Sequence, residues 1–127
     1  MTSILLVDDD EQLRNMLSKV LRRAGYEVRL ACDGIEATKS YRCQPADLII
    51  TDLIMPEKEG LEMIREFRRD HPQARIIAMS GGGRTGHINC LEVARALGAQ
   101  SVLEKPFSHQ QVLEAVREVL GRQVPQI

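Results

Sequence analysis

The amino-acid sequence predicts an α/β domain built on a parallel sheet of five strands with helices on both faces. Short, continuous apolar runs alternate with segments whose apolar residues recur every three or four positions, and this alternation occurs five times in 127 residues. Glycine or proline separates many of the segments. Repeated strand–helix units of this kind give parallel strands with right-handed crossovers, so we expect a doubly wound sheet.

The five predicted strands share a short apolar run bounded by turn residues. The first and third runs are unbroken, which is typical of strands buried on both faces. The second is less apolar, so we expect it nearer an edge of the sheet, and the fifth is minimal. In chain order the predicted strands are residues 3–7, 26–31, 48–51, 75–79 and 101–103.

Each predicted strand is followed by a helix whose apolar residues form one stripe. Gly25, Gly98 and Gly121 are natural stops for the first, fourth and fifth helices, and the second ends before Pro45. In chain order the apolar stripes lie within residues 13–24, 35–41, 61–67, 88–97 and 112–120.

Composition excludes several classes of protein. A formal net charge of −1 argues against a generally basic nucleic-acid binder. No segment approaches the roughly 20 apolar residues of a membrane span, so we expect no membrane partner. The apolar run at 3–7 meets three aspartates at once, so it is not a signal peptide.

The three cysteines have no C-x-x-C spacing, which argues against a disulfide framework or a zinc site. We expect them to be small buried residues in a protein of the reducing cytoplasm. One domain over residues 1–121 accounts for the predicted elements. Residues 122–127 are then a short tail, and we expect no effector domain.

Polar residues follow the predicted strands at the point where each strand ends. They are Asp8 and Asp9 after the first, Asp52 after the third, Ser80 after the fourth and Lys105 just after the fifth. In an open α/β sheet the carboxyl ends of the strands form the binding edge, so these side chains should meet there.

Three carboxylates in one place repel one another, by about 4 kcal/mol for a pair at 4 Å and an effective dielectric of 20. A cation relieves this repulsion, and hard oxygen ligands in a small site suit Mg²⁺. A metal beside a carboxylate, a hydroxyl and a lysine is suited to phosphoryl transfer, with the carboxylate as nucleophile.

Each residue alone has a plainer explanation. Residues 8–10 can cap the first helix, Asp52 can be a turn aspartate, and a lysine before proline is usually a surface residue. The glycines at 81–83 are a weak motif for phosphate binding. Their coincidence at one predicted sheet edge favours the functional interpretation.

The sequence V-D-D at 7–9, D-L-I-M-P at 52–56, Ser80 and K-P-F at 105–107 resemble the receiver domain of two-component response regulators, particularly single-domain chemotaxis regulators. The resemblance covers essentially the whole chain. It implies a flavodoxin-like (βα)5 fold with strand order 2-1-3-4-5 and a cis peptide bond before Pro106. It also implies a protein that signals by binding a downstream target protein and that catalyses only its own phosphorylation and dephosphorylation.

The resemblance further implies a magnesium site. Asp9, Asp52 and the backbone carbonyl of Ile54 would ligate the Mg²⁺, and Asp8 would act through a water.

By the same resemblance Asp52 is the phosphoacceptor, which takes its phosphoryl group from a histidine kinase or a phosphotransfer protein. Lys105 would pair with the phosphoryl oxygens, and Ser80 would donate its hydroxyl to them.

Two features depart from the family pattern and concern how the phosphorylated state is read. Val102 stands where an aromatic residue is usual, so a ring cannot report the movement of Ser80. The chain is also a few residues longer than usual between Ser80 and Lys105, in the glycine-rich segment 81–86. We therefore expect that segment to carry the switch.

Four alternatives stay open at this point. An aspartyl-phosphate phosphatase would place a second aspartate two residues after the nucleophile, where this chain has Ile54. A flavodoxin-like cofactor binder needs a phosphate-binding loop after the first strand, where this chain has acidic residues. The remaining two are a phosphate sink and a receiver-like interaction module that takes no phosphate.

Two further groups of residues are expected to face solvent without a role in the site. They are the histidines at 71, 87 and 109 and the arginines at 65, 68 and 69.

Overall fold

The structure is a computed structural model, which describes residues 2–53, 60–80, 92, 95–96 and 98–121. The elements alternate between strand and helix along the chain. In chain order they are β1 (Ser3–Val7), α1 (Glu11–Arg23), β2 (Glu27–Ala31), α2 (Gly34–Cys43), β3 (Leu48–Asp52), α3 (Gly60–Asp70), β4 (Ile76–Ser80), β5 (Ser101–Glu104) and α4 (His109–Gly121).

The five strands form one parallel sheet with the order β2-β1-β3-β4-β5. The predicted fold class and strand order are therefore confirmed, and β2 lies at an edge as its lower apolar content predicted. The registers Val7↔Thr51 and Asp52↔Met79 align the carboxyl ends of the three central strands. The residues after these strands consequently lie at one edge of the sheet.

Two apolar clusters cover the two faces of the sheet, because successive side chains of a strand point to opposite faces. On β1, Leu5 and Val7 belong to the cluster shared with α2 and α3. Ile4 and Leu6 belong to the cluster shared with α1 and α4. Strands β1, β3 and β4 are almost entirely buried, which explains their unbroken apolar sequences.

The first helix begins as the sequence predicts. The Asp10 carboxylate accepts hydrogen bonds from the backbone N–H groups of Gln12 and Leu13, so Asp10 is the N-cap of α1. Asp33 caps α2 through the N–H of Glu36. The Lys105-Pro106 peptide bond is cis, as expected.

The expectations about four individual side chains are wrong. Cys32 and Cys43 are exposed, because one follows the last residue of β2 and the other is the last residue of α2. His71 is half-buried, with its ring centroid 4.7 Å from that of Tyr41.

Arg68 is the fourth exception, since it is half-buried rather than part of a solvated helix face. Its guanidinium donates to the carbonyls of Pro72 at 2.7 Å and Gly98 at 3.2 Å, and also to the carbonyl of Ala74. A further bond of 3.0 Å reaches the side-chain oxygen of Gln100. Arg68 thereby joins the end of α3 to the segments that precede β4 and β5. Arg65, Arg69 and His109 are exposed as expected.

Several expectations fall outside the described residues. They concern Ile54, the segment 81–86, His87, Cys90, most of the fourth predicted helix and the tail 122–127. The division into a domain and a tail stays a prediction. Within the described residues, no helix combines the length and the apolar character needed to cross a membrane.

Candidate functional site

Three carboxylates lie together at the carboxyl edge of the sheet. Asp8 and Asp9 directly follow β1, and Asp52 is the last residue of β3. One carboxylate oxygen from each of the three lies within 4.8 Å of the others. Asp8 and Asp52 are buried and Asp9 is exposed, so the cluster opens to solvent on one side.

Lys105 places its ammonium group between the two buried carboxylates. Its Nζ lies 3.5 Å from Asp8 Oδ2 and 3.4 Å from Asp52 Oδ1. The backbone N–H of Lys105 donates to the carbonyl of Ser80 at 2.7 Å, which fixes this residue at the end of β4. Among the described residues, the one ammonium group that lies between these carboxylates cannot neutralise all three, so their negative charge is not fully balanced there.

The environment of Asp52 disfavours its ionised form. The pKa of Asp52 is raised from 3.8 to about 6, mainly because the carboxylate is buried away from water, and the negative charge of Asp8 also raises it. The nearby Lys105 and the N–H of Leu53, which donates to Asp52 Oδ1 at 3.0 Å, act in the opposite direction. A carboxylate held in this way gains stability from any cation that enters the cluster.

The environment of Asp8 acts in the same direction. Burial raises the pKa of Asp8, while the hydrogen bond from the Asp10 backbone N–H and the charge of Lys105 lower it. The Asp10 N–H donates to Asp8 Oδ1 at 2.8 Å, and Lys105 occupies the other oxygen. Both oxygens of Asp8 therefore have a partner within the protein.

The structure brings together most of the residues that the sequence singled out. Asp8, Asp9, Asp52 and Lys105 form one cluster, and Ser80 ends β4, the strand beside β3, as a buried residue. Ile54 lies outside the described residues. The individual roles of these residues stay predictions.

Arg14 is a residue near the site that the sequence did not reveal. Its guanidinium Nη1 donates to the backbone carbonyl of Asp8 at 2.8 Å. An arginine on the first turns of a charged helix gives no sequence signal for such a contact, because the contact depends on the side-chain conformation.

The cluster suits a small divalent cation. It supplies only oxygen ligands, two of them on carboxylates with raised pKa, and one side is open. Mg²⁺ prefers hard oxygen ligands, typically one or two carboxylates, and keeps several waters. Both the ligands present and the unbalanced charge are therefore consistent with Mg²⁺.

Comparison with known proteins identifies the family and gives the same fold. Residues 4–117 match the family described as the response regulator receiver domain. The chain belongs to this family. Receiver domains are signalling switches of two-component systems, so this receiver domain is a signalling component, and the match indicates no catalytic family.

Similar proteins cover nearly the whole receiver domain. The chemotaxis protein CheY of Thermotoga maritima is 36% identical over 117 residues, which are 91% of this chain and 95% of that protein. The transcriptional regulatory protein CpxR of Klebsiella pneumoniae is 34% identical over 96% of this chain, which spans 50% of CpxR. The structure of the chemotaxis protein CheY4 of Vibrio cholerae has a TM-score of 0.85 at 31% identity, covering 94% of this chain and 98% of that one.

Membership of the family sets the general class of partners and cofactor. A receiver domain interacts with a histidine kinase or phosphotransfer protein and with a downstream target. Receiver domains typically bind Mg²⁺ in an acidic pocket, and the cluster of Asp8, Asp9 and Asp52 is the corresponding group here.

Proposed function

We propose that this receiver domain is a phosphorylation switch in which Asp52 accepts a phosphoryl group in the presence of Mg²⁺. The observation that carries the proposal is the position of Asp52, which is buried between Lys105 and two further carboxylates at the open edge of the sheet. The donor is a phosphorylated histidine of a kinase or phosphotransfer protein, and the product signals by binding a target protein.

In the transfer, a carboxylate oxygen of Asp52 forms a bond to phosphorus while the bond between phosphorus and the donor nitrogen breaks. The electron pair of the broken bond stays on the imidazole. Asp52 has to be ionised to act as the nucleophile, and its raised pKa of about 6 still leaves most of it ionised at neutral pH.

The neighbouring residues have distinct tasks. The ammonium group of Lys105, 3.4 Å from Asp52, would bind an oxygen of the transferred group, and the Ser80 hydroxyl would donate to another. Asp8, Asp9, Asp52 and the carbonyl of Ile54 would hold the Mg²⁺. When bound, the metal supplies positive charge to the phosphoryl oxygens.

A direct test uses acetyl phosphate as the donor and intact mass as the measurement. The wild type should gain one phosphoryl group with Mg²⁺ and none with a chelator. Asp52→Asn should gain none under either condition, and Glu27→Gln, which removes an exposed carboxylate on β2, should behave as the wild type.

Two outcomes would contradict the proposal. Equal labelling of wild type and Asp52→Asn would place the acceptor elsewhere. A folded wild type that takes no phosphate from acetyl phosphate or from a phosphorylated histidine donor would favour a receiver-like interaction module.

A further inference from the structure

The backbone carbonyl of Asp8 lies directly after the last residue of β1. The Asp8 N–H donates to the carbonyl of Ala31, the last residue of β2, so the ladder between the two strands ends there. Beyond this point no strand within the described residues lies opposite the Asp8 carbonyl. Arg14 supplies a donor to it at 2.8 Å. The first turn of α1 is thus tied to the end of β1 by a side chain.

The peptide group that Arg14 holds is the one that joins Asp8 to Asp9. Fixing the Asp8 carbonyl fixes the plane of this peptide group, and therefore the position from which the Asp9 side chain extends. A second bond, from the Asp10 N–H to Asp8 Oδ1, holds the carboxylate of the preceding residue. Together the two bonds hold the Asp8 carboxylate and the backbone position from which the Asp9 side chain extends.

Such restraint is needed because the carboxylates repel one another. Without it, the exposed Asp9 can relax into solvent and increase its distance from Asp8 and Asp52. Part of the binding free energy of a cation is then used to bring Asp9 back to the cluster, which weakens the observed affinity. Groups that orient the ligands of a metal typically change its affinity by about 10- to 100-fold when they are removed.

We propose that Arg14 is a positioning residue for the metal-binding turn of this receiver domain. It acts through the backbone carbonyl of Asp8 and touches neither the metal nor the phosphoryl group. This inference rests on the proposed function, because it assumes that the cluster of Asp8, Asp9 and Asp52 binds Mg²⁺.

The charge of Arg14 and its positioning hydrogen bond have opposite effects on Mg²⁺ affinity, so removing the side chain distinguishes them. Removing a positive charge near an acidic site strengthens cation binding if the charge alone matters. Removing a positioning hydrogen bond weakens cation binding. The direction of the change in Mg²⁺ affinity therefore distinguishes the two effects.

The experiment compares the Mg²⁺ dissociation constants of wild type, Arg14→Met and Arg14→Lys by titration of backbone amide chemical shifts. Arg14→Met keeps the length of the side chain and removes both the charge and the donor. Arg14→Lys keeps the charge and one donor group. The matched control is Arg23→Met, an exposed arginine in the last turn of the same helix.

We expect Arg14→Met to raise the Mg²⁺ dissociation constant about tenfold, the lower end of the usual range for such groups. Arg14→Lys should restore most of the lost Mg²⁺ affinity. Arg23→Met should leave the dissociation constant within about twofold of the wild type. If Arg14→Met does not fold, Arg14→Ala provides a second variant without the donor.

Unchanged or tighter Mg²⁺ binding by a folded Arg14→Met would overturn the inference. An Arg14→Lys variant that binds Mg²⁺ as weakly as Arg14→Met would also count against the inference. Failure of the proposed function looks different, since the wild type itself would then show no Mg²⁺-dependent shifts around Asp8, Asp9 and Asp52.

Discussion

Neutralising Asp52 should stabilise the metal-free protein at neutral pH, although it abolishes the proposed function. The side chain of Asp52 is only 10% exposed, and its partner Lys105 is shared with Asp8. Asp52→Asn removes the charge while its amide oxygen can still accept the hydrogen bond from the Leu53 N–H. The substitution therefore changes the charge at this position with little change of shape.

The size of the effect follows from the pKa of Asp52, which the fold raises from 3.8 to about 6. A tenfold change in proton affinity corresponds to about 1.36 kcal/mol, so ionisation of Asp52 at neutral pH costs the folded state about 3 kcal/mol at most. Between pH 4 and pH 6 the folded state binds the proton more tightly than the unfolded state. Stability from this group is thus fully present below about pH 4 and is lost as the pH rises through about 6.

The assay is urea unfolding in the presence of a chelator at several pH values between 4 and 8. Circular dichroism is the appropriate signal, because the chain has no tryptophan. We expect Asp52→Asn to exceed the wild type in free energy of unfolding by about 1 to 3 kcal/mol at pH 7.5. The difference should shrink towards zero near pH 4. Glu27→Gln, an exposed residue on the edge strand, is the control and should show no such pH-dependent gain.

Added Mg²⁺ should narrow this difference in the free energy of unfolding. A ligand at ten times its dissociation constant stabilises the state that binds it by about 1.4 kcal/mol, and the wild type should gain more than Asp52→Asn. An Asp52→Asn variant that is less stable than wild type at pH 7.5 without metal would refute the reasoning. A difference that does not depend on pH would refute it as well.

Three further predictions concern stability away from the site, each measured by urea unfolding. Arg68→Met should lower the free energy of unfolding by about 2 to 4 kcal/mol, because the carbonyls that Arg68 binds lose that donor. The control Arg69→Met, on the exposed face, should lower it by less than about 0.5 kcal/mol. Gly98→Ala should lower the free energy of unfolding by more than about 2 kcal/mol, since Gly98 has φ +111° and an added Cβ would lie 2.6 Å from the Arg68 side chain. Ser18→Ala should raise the free energy of unfolding by about 1 kcal/mol, because Ser18 is buried and its hydroxyl has no hydrogen-bond partner among the described residues. A Ser18→Ala variant that is less stable than the wild type would contradict this prediction.

The fold could be predicted from the sequence because its elements leave direct signals. A parallel strand buried on both faces requires an unbroken apolar run, and β1, β3 and β4 are such strands. The meeting of Asp8, Asp9, Asp52 and Lys105 was also predictable, since each follows or ends a strand whose carboxyl end lies at the same edge.

The contacts of long polar side chains could not be predicted in this way. Arg65, Arg68 and Arg69 have the same chemistry and lie on the same helix, yet only Arg68 turns towards the carbonyls that precede β4 and β5. Arg14 is similar, because its bond to the Asp8 carbonyl depends on where the ladder of β1 and β2 ends. Such contacts follow from tertiary geometry and leave no local pattern in the sequence.

The central claim is that Asp52 carries the phosphoryl group, and its most direct test locates the modified residue. Protein treated with acetyl phosphate and Mg²⁺ is reduced with borohydride, which converts an aspartyl phosphate into homoserine, and is then digested and sequenced by tandem mass spectrometry. Homoserine at position 52, absent from Asp52→Asn and from chelator-treated wild type, is the result that we predict. Homoserine at position 8 or 9 instead, or none in a folded and Mg²⁺-loaded wild type, would contradict the claim.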